Sequence, residues 1–106
     1  MVQIQLLGGV RATADDGMPV DVGPAKCQTV LAVLALSAGA LVPVDRLVEL
    51  VWASAPPRTA HKTLQSYVLR LRQGLGPGAV LRIGAAYGLF VAADAVDVAR
   101  FMSLKT

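Results

Sequence analysis

The spacing of apolar residues changes along the chain, and each change predicts a different element. Residues 2–7 and 10–13 alternate roughly as strands do, and the glycines between them permit a sharp turn. Residues 15–17 carry a second turn signal, after which residues 19–22 are predicted to form a short third strand. The N-terminal part of the chain is therefore predicted to form a small antiparallel sheet.

Two helices are predicted next, and they differ in the distribution of their apolar side chains. Residues 25–37 are apolar on nearly every side, which predicts a central helix packed from several directions and stopped at Gly39. Residues 41–43 are predicted to be extended, because a proline disfavours the helical conformation of the residue before it. Residues 44–51 then repeat apolar side chains at helical spacing on one side, with Trp52 as a core anchor at the end.

A third helix is predicted from an N-cap at Thr59 to about residue 75, between two prolines and a glycine-rich segment. At about 100° per residue, one side of this helix is an apolar stripe made of Leu64, Val68, Leu71 and Leu75. The opposite side carries Lys62, Ser66, Leu69 and Gln73, flanked by Arg70 and Arg72. Such a helix can pack on a core with one side and present polar and cationic side chains to a DNA groove with the other.

Individual residues on the polar side of this helix have alternative interpretations. Leu69 is a large aliphatic residue that could meet a thymine methyl group, a dimer partner or nothing at all. Arg70 and Arg72 could contact DNA or serve only as solvated surface charges. His61 and Lys62 lie near the start of the helix, where they could reach DNA or be ordinary polar surface residues.

A hairpin is predicted after the third helix. Residues 79–83 and 89–91 have the composition of two strands, and residues 84–88 would join them. A hairpin directly after a basic amphipathic helix is typical of a winged helix, in which Arg82 and a tip containing Tyr87 would lie over the DNA backbone or the minor groove. The alternative is an ordinary hairpin that covers the core, with Tyr87 as a packing residue.

Charge is concentrated in the segment that contains the third helix and the hairpin. Residues 50–93 contain five basic and no acidic side chains, whereas residues 1–49 contain three basic and five acidic ones. The positive electrostatic field of residues 50–93 attracts a polyanion, above all nucleic acid. A solvated basic face without a partner would carry the same charges.

Length and composition exclude several other classes. A chain of 106 residues can bury one modest core, which predicts a single domain. Mean hydropathy is high, at +0.58, but the uncharged run at residues 27–44 is interrupted by polar residues, glycine and proline, so that a buried core helix is favoured over a membrane span. The N-terminus does not have the pattern of a secretory signal, and a cytoplasmic location is expected.

Catalytic, metal and cofactor chemistry are not expected either. The single cysteine, Cys27, cannot form an internal disulfide, and one cysteine with one histidine makes no zinc cluster. Cys27 is predicted to be a small buried hydrophobe. Because the chain also lacks paired carboxylates, a nucleophile elbow and a phosphate-binding loop, it is predicted not to be an enzyme.

Several short motifs in this order resemble one family: GPAK at 23–26, VDRL at 44–47 followed by Val51 and Trp52, PP at 56–57, TLQSYV at 63–68, RLR at 70–72, LGP at 75–77 and AYG at 86–88. Together they are similar to the DNA-binding domain of the Streptomyces antibiotic regulatory protein (SARP) family, which is itself similar to the OmpR-type effector domains of response regulators. The resemblance covers residues 2–93. It implies an α+β winged helix-turn-helix with an N-terminal antiparallel sheet, a three-helix bundle and a C-terminal β-hairpin wing.

The same resemblance implies a function. Members are sequence-specific transcriptional activators of secondary-metabolite genes, which bind direct repeats in double-stranded DNA as dimers and recruit RNA polymerase. The resemblance implies that Ser66, Leu69, Arg70 and Gln73 face the major groove, that Arg72 contacts the backbone, and that Arg82 and Tyr87 belong to the wing. With residues near the start of the third helix included, the candidate DNA-contacting set is Arg58, Thr59, His61, Lys62, Ser66, Leu69, Arg70, Arg72, Gln73, Arg82 and Tyr87.

Some positions depart from the family pattern. Members often have glycine and acidic residues after the tryptophan, where this chain has residues 53–55, and many have arginine in place of Gln28. Residues 94–106 resemble the start of a bacterial transcriptional activation domain, or else form a C-terminal helix that packs on the domain. An alternative function stays open at this point, namely a winged-helix module that docks an acidic protein partner and does not bind DNA.

Overall fold

The computed structural model describes residues 3–6, 9–14, 16–37, 40–53, 55–91 and 96, which form five short strands and three helices. The elements are β1 (Gln3–Gln5), β2 (Arg11–Thr13), α1 (Ala25–Leu36), β3 (Val42–Pro43), α2 (Val44–Trp52), α3 (Ala60–Leu75), β4 (Val80–Ile83) and β5 (Ala86–Leu89). This arrangement confirms the predicted α+β winged helix-turn-helix.

Within the described residues, the N-terminal sheet contains two strands. β1 and β2 pair antiparallel with Ile4 opposite Ala12. The prediction of a third strand at residues 19–22 is wrong, because only Pro19 bridges to β2, through Thr13. Proline cannot donate a backbone hydrogen bond, which limits continued pairing at this edge. The Val20 N–H still donates to the Ala12 carbonyl at 2.9 Å, so residues 19–22 lie against the sheet as they lead into α1.

Helix α1 is the centre of the core. It contacts α2, α3 and β5, and its buried residues are Cys27, Val30, Leu31, Leu34 and Ala35. This distribution confirms the prediction of a helix packed from several sides, although its predicted stop, Gly39, lies outside the described residues. Among the described residues, every helix is too short or too polar to span a lipid bilayer.

Cys27 is fully buried within this core, as predicted. Its Sγ lies 3.6 Å from the carbonyl oxygen of Tyr67, which connects α1 to α3. Burial raises the pKa of the Cys27 thiol to about 11, so the thiol stays protonated at neutral pH.

Helix α2 buries the side predicted from its periodicity, which comprises Val44, Leu47, Val48 and Val51. At its C-terminal end, the ring of Trp52 stacks on that of Tyr67, with centroids 6.3 Å apart and an angle of 14° between the planes. Trp52 is partly buried and packs against the core. The contact therefore ties the end of α2 to the middle of α3.

The C-terminal sheet has the strand order β3-β5-β4, with both pairs antiparallel. The predicted second hairpin strand at residues 89–91 is wrong, because β5 begins at Ala86 and the turn has only two residues, Gly84 and Ala85. Gly84 has φ of +61°, which suits glycine in a tight hairpin turn. The Ala85 carbonyl accepts a 2.8 Å hydrogen bond from the Val44 N–H, so the hairpin turn also contacts the start of α2.

Beyond Val91 the structure describes one residue, Val96. Val96 is 1% exposed and forms a parallel bridge with Ile4 of β1. The rest of residues 94–106, which resemble the start of an activation domain, lie outside the described residues.

Candidate nucleic-acid interface

Helix α3 has two distinct sides. One side packs into the core through Ala60, Leu64, Val68, Leu71 and Leu75, each at most 6% exposed. The other side leaves Lys62, Ser66, Leu69, Arg70 and Gln73 exposed, and Leu69 is 55% exposed. The β4–β5 hairpin does not cover these side chains. The predicted division of α3 into a buried stripe and an open polar side is confirmed.

The start of α3 carries four of the candidate residues. Thr59 occupies the predicted N-cap position but makes no side-chain capping hydrogen bond, and Arg58 beside it is exposed. His61 Nε2 lies 3.3 Å from Asp45 Oδ1 in the first turn of α2. Lys62 is exposed on the next position of the helix. The structure therefore keeps these side chains at the surface and engages His61 with α2.

Arg70 is paired with an acidic residue from outside the helix. Its Nη2 donates to Asp21 Oδ2 at 2.7 Å and its Nε donates to the same oxygen at 3.2 Å. The hydrogen bond from Arg70 and a second one from the Gly23 N–H hold the pKa of the Asp21 carboxyl below its ordinary value. Asp21 in turn raises the pKa of Arg70. Both partners are therefore charged at neutral pH.

Arg72 lies at the junction of α3 and the hairpin. Its side chain is partly buried, and its Nε donates to the carbonyl oxygen of Val80 in β4 at 2.8 Å. Arg72 thus holds the hairpin against the helix. The expected contact between Arg72 and a phosphate stays a prediction, and it would have to use the terminal guanidinium nitrogens.

The two hairpin candidates, Arg82 and Tyr87, lie opposite each other in the β4–β5 pair. The expectation that Tyr87 belongs to the hairpin tip is wrong, because the tip is formed by Gly84 and Ala85. Tyr87 is 3% exposed and belongs to the core, so its ring cannot present itself to a duplex. Arg82 is exposed, lies 5.7 Å from the Tyr87 ring centroid, and donates from Nε to the Gly84 carbonyl at 3.0 Å. The Arg82 guanidinium therefore lies over the buried ring of Tyr87.

A shallow open depression of about 530 Å³ runs along the exposed side of α3. Its lining residues are Asp21, Ser66, Leu69, Arg70, Gln73 and Gly74. Four of these six residues are candidates that the helical periodicity of the sequence places on or beside the polar side of α3. The structure thus brings Ser66, Leu69, Arg70 and Gln73 to one surface, while Arg82 lies apart on the hairpin.

Asp21 was missed by sequence reasoning. It precedes α1 and is separated from Arg70 by 49 positions, so no local pattern connects the two residues. The only sequence signal is the Asp-x-Gly spacing at residues 21–23, which is typical of a turn closed by an aspartate side chain. That signal predicts the turn but not its ion pair.

Residues 19–88 match the model of a family described as transcriptional regulatory protein, C terminal. The chain belongs to this family. The matched stretch contains all three helices and most of the hairpin.

Curated relatives confirm the similarity to SARP-type regulators. The chain is 36% identical over 107 residues to the transcriptional regulatory protein EmbR of Mycobacterium tuberculosis, in a match that covers 95% of this chain and 27% of EmbR. It is 39% identical over 74 residues to the regulatory protein DnrI of Streptomyces peucetius, in a match that covers 70% of this chain and 27% of DnrI. The chain therefore spans about a quarter of the length of these relatives.

A solved structure supports the same relationship. Mycobacterium tuberculosis EmbR, in complex with a low-affinity phosphopeptide, superposes with a TM-score of 0.87 at 30% sequence identity, over 96% of this chain and 28% of that chain. The chain is therefore a winged-helix domain of a SARP-type transcriptional regulator.

Proposed function

We propose that this domain binds double-stranded DNA sequence-specifically, with α3 in the major groove and the β4–β5 hairpin beside the backbone or the neighbouring minor groove. The observation that carries the proposal is the two-sided packing of α3. Its apolar stripe is buried, while Ser66, Leu69, Arg70 and Gln73 line one open surface. A helix anchored in this way can enter a groove without disturbing the core.

The charge distribution supports a polyanionic partner. The basic residues of the segment 50–93 are on or beside α3 and the hairpin, and this segment contains no aspartate or glutamate. The basic set comprises Arg58, Lys62, Arg70, Arg72 and Arg82. Cations on both sides of a groove-facing helix can reach phosphates, while polar tips between them reach base edges.

Membership of the family supports a wider role for the protein. In this proposal residues 1–93 are the DNA-binding domain of an activator of secondary-metabolite genes, and residues 94–106 begin the activation domain or a C-terminal helix. The domain acts as a dimer on direct repeats near promoters and contacts RNA polymerase, in the cytoplasm at the nucleoid. It works by binding and not by catalysis, without a cofactor.

Selection of bound duplexes from a random pool tests the proposal and would report the half-site spacing. Phosphate contacts from the four basic residues other than Arg70 would give a slope of about −4 for log affinity against log salt concentration. Replacing both Arg70 and Arg72 with alanine should weaken binding to the selected duplex by at least tenfold. Arg11→Ala serves as a control for the loss of one exposed arginine outside α3 and the hairpin, because Arg11 lies on β2.

Two outcomes would contradict the proposal. The first is that no duplex is selected at low salt. The second is that the Arg70 and Arg72 double variant keeps full duplex affinity and instead loses binding to an acidic protein partner. The second outcome would favour the alternative function, a winged-helix module that docks an acidic protein partner and does not bind DNA.

A further inference from the structure

Both carboxylate oxygens of Asp21 accept hydrogen bonds from within the protein. Oδ2 accepts hydrogen bonds from Nε and Nη2 of Arg70, and Oδ1 accepts one from the Gly23 N–H at 2.8 Å. The side chains of Arg70 and Asp21 are nevertheless 48% and 67% exposed. The pair is therefore geometrically defined and still open to a ligand.

The backbone on the Asp21 side of this pair is held closely against α3. Val20 packs on Gly74 so tightly that a β-carbon at position 74 would collide with the Val20 side chain. The same β-carbon would lie 3.2 Å from the Asp21 carbonyl oxygen. Glycine at position 74 thus permits the close approach that brings Asp21 to the helix surface.

The turn after Asp21 is also fixed. Gly23 has φ of +79° and lies against Cys27 and the Cδ of Arg70. Its carbonyl oxygen accepts a 2.9 Å hydrogen bond from Gln28 Nε2. The position of Asp21 therefore depends on contacts from both α1 and α3, and not on the ion pair alone.

Asp21 contacts only one edge of the Arg70 guanidinium. Arginine has five N–H donors in a rigid planar fork. Asp21 engages Nε and one side of Nη2, so the end that contains Nη1 and the second Nη2 hydrogen points away from the carboxylate. Two parallel donors are the arrangement that binds O6 and N7 of guanine.

Asp21 also makes a phosphate a poor partner for Arg70. The carboxylate neutralises much of the field of the guanidinium and would repel a second anion placed beside it. A base edge carries no net charge, so the repulsion from Asp21 is weaker there. The depression beside the pair also contains Ser66 and Gln73, whose polar side chains can reach neighbouring base edges.

From these contacts we infer that Asp21 is a specificity-determining positioning residue, which orients Arg70 to read a guanine edge and keeps it from acting as a general phosphate contact. The inference rests on the proposed DNA binding. Asp21 lies outside both α3 and the hairpin.

Duplex selection with the wild-type chain and with Asp21→Asn tests the inference. Asparagine keeps the oxygen that accepts from Gly23 but removes the charge that holds Arg70. At one guanine position in each half-site, the preference should fall by about tenfold, while preferences elsewhere stay within about twofold. Affinity for unrelated duplex should rise, and the salt slope should become steeper by about 0.9.

Asp16→Asn is the matched control. Asp16 closes a similar turn, with its Oδ1 accepting from the Met18 N–H at 3.0 Å, and no ion pair joins it to α3 in the described part of the chain. This variant changes the net charge by the same amount as Asp21→Asn and should leave the guanine preference unchanged. Asp21→Ser is a second test variant, because a hydroxyl oxygen can also close the turn.

A double-variant comparison separates positioning from a general structural effect. Arg70→Ala should remove the guanine preference, and adding Asp21→Asn to it should cause no further loss. Thermal unfolding midpoints identify any variant that is not folded at the assay temperature.

Each failure has a distinct meaning. If the wild-type chain selects no duplex, the proposed function fails and the role of Asp21 fails with it. If the wild type selects a site and folded Asp21→Asn or Asp21→Ser keeps the same guanine preference, only the role of Asp21 is overturned. An equal loss at every position would overturn it as well.

Discussion

Helices α1 and α3 have similar lengths, 12 and 16 residues, but use their surfaces in opposite ways. α1 is surrounded by α2, α3 and β5, and packing constrains it on several sides. α3 contributes one stripe to the core and leaves its other side open. Substitutions in α1 should therefore act mainly on stability, whereas substitutions on the open side of α3 can act on binding alone.

The largest expected effect comes from truncating a residue at the centre of α1. Leu34 is 0% exposed, and Leu34→Ala should destabilise the domain by about 2–5 kcal/mol, because it removes apolar contacts and leaves a cavity. Urea unfolding followed by circular dichroism measures the change. For a domain of this size the loss is a large part of the total stability.

Leu69→Ala is the matched change on α3. Leu69 is 55% exposed, so the free energy of unfolding should change by no more than about 0.5 kcal/mol. A similar loss of stability in Leu34→Ala and Leu69→Ala would contradict the different roles of α1 and α3.

A smaller loss is expected where α3 meets residues 19–22. Gly74→Ala should destabilise the domain by about 1–3 kcal/mol, because the new methyl group would collide with Val20 and the gain in helix propensity is smaller than this strain. Thermal unfolding measures the effect. The variant should also weaken the Asp21–Arg70 pair, since Val20 is the neighbour of Asp21.

Gly78→Ala provides the control for Gly74. Nothing lies within 4 Å of a β-carbon at position 78, so this variant should unfold at nearly the wild-type temperature. If Gly74→Ala is equally harmless, Val20 can move away and the close approach to α3 is not required.

Arg72 lies at the border between the two sides of α3 and donates a hydrogen bond to the Val80 carbonyl. Arg72→Ala should destabilise the domain by about 1 kcal/mol, because a partly buried carbonyl loses its donor. Unfolding in urea gives the value. Arg58→Ala, at an exposed position before α3, should change stability by no more than about 0.5 kcal/mol.

The smallest effect concerns the pH dependence of the Asp21–Arg70 pair. The pKa of Asp21 lies below its ordinary 3.8, chiefly because Arg70 donates a hydrogen bond to the Asp21 carboxylate. The ion pair therefore contributes its full stability above the unfolded-state pKa of Asp21. This stability is lost as the pH falls through the folded-state pKa. The unfolding temperatures of wild type and Asp21→Asn should therefore converge as pH falls below about 4.

Arg70→Ala should show the same convergence, since it removes the other half of the pair. A gap between wild type and variant that stays constant down to about pH 2 would contradict the assignment of the shift to this contact.

The sequence predicted the helices better than the strands. The extents of α1, α2 and α3 agree with the structure within a residue or two, because a helix is defined by repeats between near neighbours. The errors concern strands: residues 19–22 form a single bridge, and the second hairpin strand begins at Ala86. Strand pairing depends on distant partners, and a shift in register reverses the side to which each residue points.

Tyr87 illustrates this limit. The sequence predicted a hairpin and placed Tyr87 at its tip, whereas pairing with Arg82 and with Val42 directs the ring into the core. Val42 belongs to β3, far away along the chain, and no local pattern indicates that it is a partner of β5.

The amino-acid sequence alone determined the two-sided character of α3 and the basic character of the segment around it, because both depend on the order of neighbouring residues. Only the tertiary structure decided which charges meet. Arg70 is oriented by Asp21 and Arg72 by the Val80 carbonyl, and these contacts exist because packing brings residues 19–22 and the hairpin against α3. Side-chain partners of this kind depend on distances through space, which spacing along a chain does not specify.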